Sequence, residues 1–238
     1  MRTNFSKDRI RDLAIESALI VFSILFAFSL NAWWATQQEQ REVRSMLEKL
    51  HGEFELNSDR LAFRKASHVK TRNATSTLLS LAGPQAALSL GEDSVRILIW
   101  ESSSAWSFDA ADGILNSILS SGRIGLIQND GLRSALASWP SVVGDIREDE
   151  MESWRVMNDQ LIPFLDRHIS WRIAANLIDA DAVDDGLFSD DLTALFSSRE
   201  YENLLINKLF VENSILGYYE EPEALIENIL QMIEDELD

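Results

Sequence analysis

From Ser17 to Ala35 the chain reads SALIVFSILFAFSLNAWWA, 19 residues without a charge. As a helix this run spans about 28 Å at about 1.5 Å per residue, close to the roughly 30 Å of a bilayer's hydrocarbon layer. It is longer than the apolar core of a signal peptide, and Trp33-Trp34 and TQQEQREVR come after it in place of a small-residue cleavage site, so it reads as an uncleaved anchor. Paired indoles, apolar at one end and wet at the other, mark Trp33 and Trp34 as interface anchors and argue against a buried core helix. Ser23, Ala27, Asn31 and Ala35 recur every four residues and share one face of the helix. Small and hydrogen-bonding side chains on one face suit close approach of a partner helix, from another integral membrane protein or from a second copy; Asn31 also lies near enough to Trp33 to belong to the interface.

Past the apolar run the periodicity changes. Only Gly52 interrupts helix-forming residues between Thr36 and Ala82, and Val43, Leu47, Leu50, Phe54 and Leu61 fall at alternating four- and three-residue spacing. The membrane helix is thus expected to continue as a stalk. Its stripe fits a coiled coil or packing against the chain's own later helices, with Asn57 in the same seam able to fix register. Gly83-Pro84 should end the helix.

A second helix is expected from Asp93 as N-cap through Val95, Leu98, Ile99 and Trp100 to the Ser102-Ser103-Ser104 break. A short amphipathic helix over 112–122 should close at Gly122, with an extended or turn-like Arg123–Ile127 after it. Asn129-Asp130 should cap a helix stopped by Pro140, and another should run from Ser141 to about Leu177 with a bend at Pro163. Asp179–Asp191 reads as a solvated acidic loop, with Ser189, Ser197 or Ser198 available to cap the next helices. The last segment, from Glu223, places Leu225, Ile226, Ile229, Leu230, Ile233 and Leu237 on one face. No run alternates with period two. The pattern predicts an all-α protein with a short cytoplasmic segment (1–16), a transmembrane helix (17–35) and an acidic all-helical extracytoplasmic bundle (36–238).

Charge sharpens this division. The 238 residues carry 21 Lys+Arg against 39 Asp+Glu, a net charge of −18. Residues 1–35 hold four basic and three acidic side chains, which leaves 17 and 36 for residues 36–238 and a net charge of −19 there. Such acidity excludes nucleic acid as a partner, because phosphate binding depends on clustered cations. Arg2, Lys7, Arg9 and Arg11 precede the span and Arg41, Arg44 and Lys49 lie beyond it; this slight bias, with the shortness of the first segment, favours an N-terminus inside and the domain outside. With no Cys there is no thiol nucleophile, thiolate metal site or disulfide.

Other chemistry finds no foothold. A calcium loop begun at Asp181 would put Val183 and Leu192 where oxygen ligands belong. His51, His68 and His168 lack the spacing of a zinc hydrolase, and no glycine pattern cradles a phosphate. Glu148, Asp149 and Glu150 read as a solvated helix face. No catalytic residue, metal or cofactor is assigned. Two readings remain: a membrane-anchored interaction or accessory subunit, and a stalked sensor or small-ligand module whose pocket would use Trp100, Trp106, Phe108 and Trp139.

Three stretches carry a resemblance: Ser29-Leu30-Asn31-Ala32-Trp33-Trp34 ahead of a charged helix; Ser120-Ser121-Gly122-Arg123-Ile124 with Asn129-Asp130-Gly131-Leu132-Arg133; and Ser198-Arg199-Glu200-Tyr201-Glu202-Asn203-Leu204. In this order they resemble an uncharacterised family of bacterial single-pass membrane proteins, known as a domain of unknown function. The resemblance implies a bacterial inner membrane and a helical extracytoplasmic domain. It implies no activity. Ala32 stands where an acidic or polar residue would be expected.

Overall fold

The computed structural model describes residues 7–81, 89–178 and 188–238, with side chains from Arg11 onward. Its first element, α1, is one helix from Lys7 to Ser80, 74 residues and about 111 Å long. Apolar run and heptad stripe thus share a single rod with no break at Ala35, because the intervening TQQEQREVR is made largely of good helix formers. The remaining helices are α2 (Glu92–Ser102), α3 (Gly113–Ser120), α4 (Asp130–Arg155), α5 (Ile162–Leu165), α6 (Trp171–Ile178), α7 (Leu192–Phe196), α8 (Arg199–Tyr218) and α9 (Glu220–Leu237). A 3₁₀ turn (Arg123–Leu126) comes after α3, and a π-helical stretch (Val156–Leu161) joins α4 to α5. No strand occurs among the described residues. The protein is all-α, a long N-terminal helix leading into a helical bundle.

The stripe on α1 packs within the chain. α1 lies against α8, α9 and α2, while α4 closes the bundle against α8 and α9. From Met46 onward α1 is therefore the central helix of the domain, and only about two turns above Ala35 stand clear as a stalk. Buried positions recur along α1 at Leu47, Leu50, Phe54, Asn57, Leu61, His68, Thr71, Thr75 and Leu78, a heptad pattern that outlasts its apolar residues. Two apolar cores result. The nearer to the apolar run gathers Leu50, Phe54, Trp139, Ile146 and Ile229; the farther gathers Leu78, Ile99, Phe164, Leu195 and Leu205.

Several expected boundaries shift. α2 begins at Glu92, after Gly91 at φ +90°, so Asp93 lies in the first turn and does not cap. Pro140 does not stop its helix: α4 runs through it to Arg155, because Leu136, Trp139 and Ile146 on either side bury a common face. The helix expected to reach Leu177 instead passes through the π-helical stretch just before Pro163 and breaks between Leu165 and Trp171. A proline lacks the N–H that would bond back into the preceding turn, and an inserted π turn accommodates that loss. Gly83-Pro84 and most of the acidic loop, including Asp181, Val183 and Gly186, lie outside the described residues. At the end of that loop Phe188, Ser189 and Asp191 are exposed, but Asp190 is drawn inward, pairing with Arg96 at 2.5 Å and accepting from the Ser170 N–H at 2.6 Å; Asp191, not Ser189, caps α7 by accepting from Ala194 N–H at 2.9 Å. Ser198 caps α8 and Asn129 caps α4 as expected.

Gly122 sits at φ +72°, left-handed, between α3 and the 3₁₀ turn that carries Ile127 into the core. A Cβ there would meet nothing within 4 Å, so conformation alone sets the cost of substitution. Gly122→Val should lower stability by about 1–2 kcal/mol and Gly122→Asn by less, since Asn tolerates this region. Thermal unfolding of the full chain in detergent, monitored by circular dichroism, reads both; equal midpoints for Val and Asn would show that backbone handedness is not what Gly122 supplies.

Candidate functional site

Every residue from Arg11 to Thr36 is exposed, including the large apolar side chains Phe22, Leu25, Phe26 and Phe28. α1 is the one helix among the described residues long and apolar enough to cross a membrane. Within this segment Ser23, Ala27, Asn31 and Ala35 share a face, as four-residue spacing on a helix requires. Their polar groups differ in availability. The Ser23 hydroxyl donates to the Leu19 carbonyl at 2.8 Å, and Ser29 does the same to Leu25 at 2.9 Å, so both satisfy themselves inside the helix. The Asn31 amide has no hydrogen-bond partner among the described residues and is the one group on that face with donors to offer. Trp33 and Trp34 stand side by side with ring centres 6.4 Å apart, and the Arg41 guanidinium lies 5.4 Å from the Trp34 ring.

A second constellation was missed in the sequence. Between the two apolar cores the heptad positions of three helices turn polar at one level: His68 on α1, Glu150 and Ser153 on α4, Lys208 and Glu212 on α8. Glu212 is the hub. Its Oε2 lies 2.7 Å from His68 Nδ1, and its Oε1 lies 2.9 Å from Lys208 Nζ and accepts from the Ser153 hydroxyl at 2.8 Å. An ionised carboxylate only accepts, so Nδ1 of His68 carries the proton. Lys208 also donates to the Ser104 carbonyl at 2.7 Å and to Ser153 Oγ at 2.8 Å, filling its three donor positions. His68, Lys208 and Glu212 are all fully buried.

Burial pushes the Glu212 carboxyl up, but the His68 hydrogen bond and the Lys208 charge outweigh it and hold Glu212 below the ordinary carboxylate range. Burial pulls Lys208 down, and Glu212 restores only part of the loss. Beside this triad Glu150 accepts from Phe108 N–H, 3.0 Å from each oxygen, and from the Tyr219 hydroxyl. Burial and the Glu150 charge raise Tyr219 well above the ordinary phenol range. Glu150 is therefore a buried core acceptor, and the expectation of a solvated face at Glu148–Glu150 fails for this residue because it falls on the inward stripe of α4. His68 Nε2 has no hydrogen-bond partner, though the ring stands edge-to-face with Tyr219 at 5.5 Å.

Two further acceptors on α1 tie down the chain after α2. Asn57 accepts from Ala111 N–H at 2.6 Å and donates to the Ala111 carbonyl at 2.8 Å. Glu53 accepts from the Ile114 and Leu115 N–H groups at 2.6 and 2.9 Å, capping α3 in place of Asp112. The four aromatic residues considered for a pocket do not converge. Phe108 and Trp139 meet in the nearer core, Trp106 donates to Thr71 Oγ1 at 3.0 Å, and Trp100 pairs with Trp171. No known protein family, curated protein or solved structure matches this chain.

Proposed function

We propose that this protein is a single-pass, membrane-anchored accessory or interaction subunit without catalysis, whose apolar helix docks against another integral membrane protein or a second copy of itself. One observation carries the reading. A wholly exposed apolar segment, with the unsatisfied amide of Asn31 between Ala27 and Ala35, is continuous with the central helix of a packed domain. An amide facing lipid gains about 0.6–2 kcal/mol by finding a partner helix, and alanines on either side let backbones approach. The slight excess of basic residues ahead of the span, Arg2, Lys7, Arg9 and Arg11 against Arg41, Arg44 and Lys49, favours the N-terminus inside and the domain outside, and the family resemblance favours a bacterial inner membrane.

The test is extraction from membranes in a gentle detergent, with orientation checked by protease on intact spheroplasts. A stoichiometric second subunit, or a homodimer, should accompany the wild type and the Ile20→Val variant and be lost from Ala27→Ile, where the added bulk blocks close approach. Protease should remove the domain. Equal loss from both variants would remove the case for a dedicated face, and a protected domain would reverse the orientation.

A further inference from the structure

Where α1 leaves the apolar run, a groove of about 640 Å³ opens between α1, the 3₁₀ turn and the C-terminal end of α9. Its floor is apolar, from Val43, Leu47 and Leu126, and its rim carries Gln37, Glu39, Arg41, Arg44 and Glu236. We propose that this groove binds the headgroup of a zwitterionic phospholipid with a primary ammonium, phosphatidylethanolamine in type, its phosphate on Arg41 and its ammonium on Glu236. The inference rests on the membrane-anchor reading above, and on neither the orientation nor the partner helix.

Placement comes first. Helical side chains lean toward the N-terminus, and that direction takes the Arg41 guanidinium back down α1 until it lies 5.4 Å from the Trp34 ring. An indole at the end of an apolar span settles among headgroups, so a cation against it lies at the level of lipid phosphates. Thr36 and Gln37, also on the groove, are within about 5 Å along the axis of Trp34, but the Thr36 hydroxyl donates to the Ala32 carbonyl at 3.1 Å and the Gln37 amide to Gln40 Oε1 at 3.4 Å, which leaves Arg41 as the open donor at that level.

Availability comes second. Arg44 is already engaged, with Glu48 at 3.3 Å and the Leu237 carbonyl at 3.1 Å, and so fastens the end of α9 to form the groove's far wall. Arg41 has no carboxylate or hydrogen-bond partner among the described residues and stays free to meet an anion.

Charge comes third. Two arginines and two glutamates leave the rim neutral, on a domain whose net charge of −19 repels anionic lipid. A zwitterion matches that rim. Its phosphate-to-ammonium direction, pointing away from the bilayer, parallels the order from Arg41 near Trp34 to Glu236 at the end of α9. A primary ammonium donates hydrogen bonds to carboxylates, which a quaternary one cannot do.

The experiment is native mass spectrometry of the full-length protein in detergent, with phosphatidylethanolamine, phosphatidylcholine and phosphatidylglycerol of identical acyl chains added in turn. Retention of phosphatidylethanolamine should exceed that of the other two by about two- to fivefold, the range an exposed charge pair supplies. Arg41→Ala should remove the preference, Glu236→Gln should bring phosphatidylethanolamine down to phosphatidylcholine, and Arg155→Ala, far along α4, should change nothing. Arg41 and Glu236 are exposed, and an unshifted thermal midpoint verifies that their variants fold; Gln37→Ala is a second rim variant should either midpoint move. Equal retention of the three lipids, a preference for phosphatidylglycerol, or an Arg41→Ala protein indistinguishable from wild type overturns the site. Alkaline carbonate washing of native membranes separates this from the anchor reading: release of the protein overturns the anchor, whereas retention without lipid selectivity overturns the groove alone.

Discussion

Glu212→Leu will destabilise the helical domain by about 3–5 kcal/mol, the cost of leaving a buried charge without its counter-ion. The removed carboxylate satisfies three groups at once: His68 Nδ1, the Ser153 hydroxyl and Lys208 Nζ. Lys208 would keep its neutral acceptors, Ser104 O and Ser153 Oγ, but lose the anion that offsets its burial. Combining His68→Leu, Lys208→Met and Glu212→Leu should recover much of the loss, since apolar replacement of a whole buried ionic group is often neutral or stabilising. Thermal unfolding of the full chain in detergent compares the three proteins. A triple variant no more stable than Glu212→Leu alone would mean that the polar layer supplies net stability rather than specificity. The pH dependence has a definite sign. Glu212 is held below its ordinary value of 4.5, so its contribution is complete above that value and is lost as pH falls through the lowered one. Glu212→Gln should therefore flatten the acid limb of the stability profile.

Trp139→Ala should cost about 3–5 kcal/mol, as removing a large buried aromatic does elsewhere. The indole packs edge-on against Phe54 at 5.3 Å and Phe108 at 6.3 Å, linking α1, α4 and the segment that Asn57 clasps. Its Nε1 makes no hydrogen bond, so the loss is one of packing. Trp139→Phe, which keeps a ring and gives up no polar contact, should cost well under that amount in the same melt. Similar losses for Phe and Ala would point instead to a specific need for the indole.

These two sites differ in how far the amino-acid sequence discloses them. Trp139 lies on an apolar stripe with Leu132, Leu136 and Ile146, so its burial can be read from spacing alone. The end assigned to its helix at Pro140 could not, because burial of that continuous stripe outweighs one missing hydrogen bond. Lys208, Glu212, His68 and Glu150 escape notice because charge ordinarily marks the solvent face. The signal is present nonetheless. Tyr201, Leu205, Lys208, Glu212, Ile215 and Tyr219 step by four and three, and all six are buried; carrying the apolar period through its charged positions places both ions inside. The same step on α1 passes from Leu61 through Arg64 to His68, Thr71, Thr75 and Leu78. Which charges meet is not legible, because spacing fixes the face of one helix but not the level at which three helices come together. The apolar run and its four-residue face are legible in full, being local properties of one helix. The groove beside Arg41 is not, since Glu236 reaches it from the far end of the chain.

With α1 anchored as proposed, its unbroken passage from the apolar run into the centre of the domain would make the molecule a lever with no hinge at the bilayer surface. His68 lies 33 residues beyond Ala35, about 50 Å along the helix. If the span tilts by about 20°, a common angle for such helices, that level sweeps sideways by roughly 17 Å. A flexible linker would let the domain search for contacts independently of its anchor. In the proposed anchor the angle adopted in lipid would dictate which neighbours the domain can touch, so a thicker or thinner bilayer would steer the domain by altering tilt, without changing a single side chain.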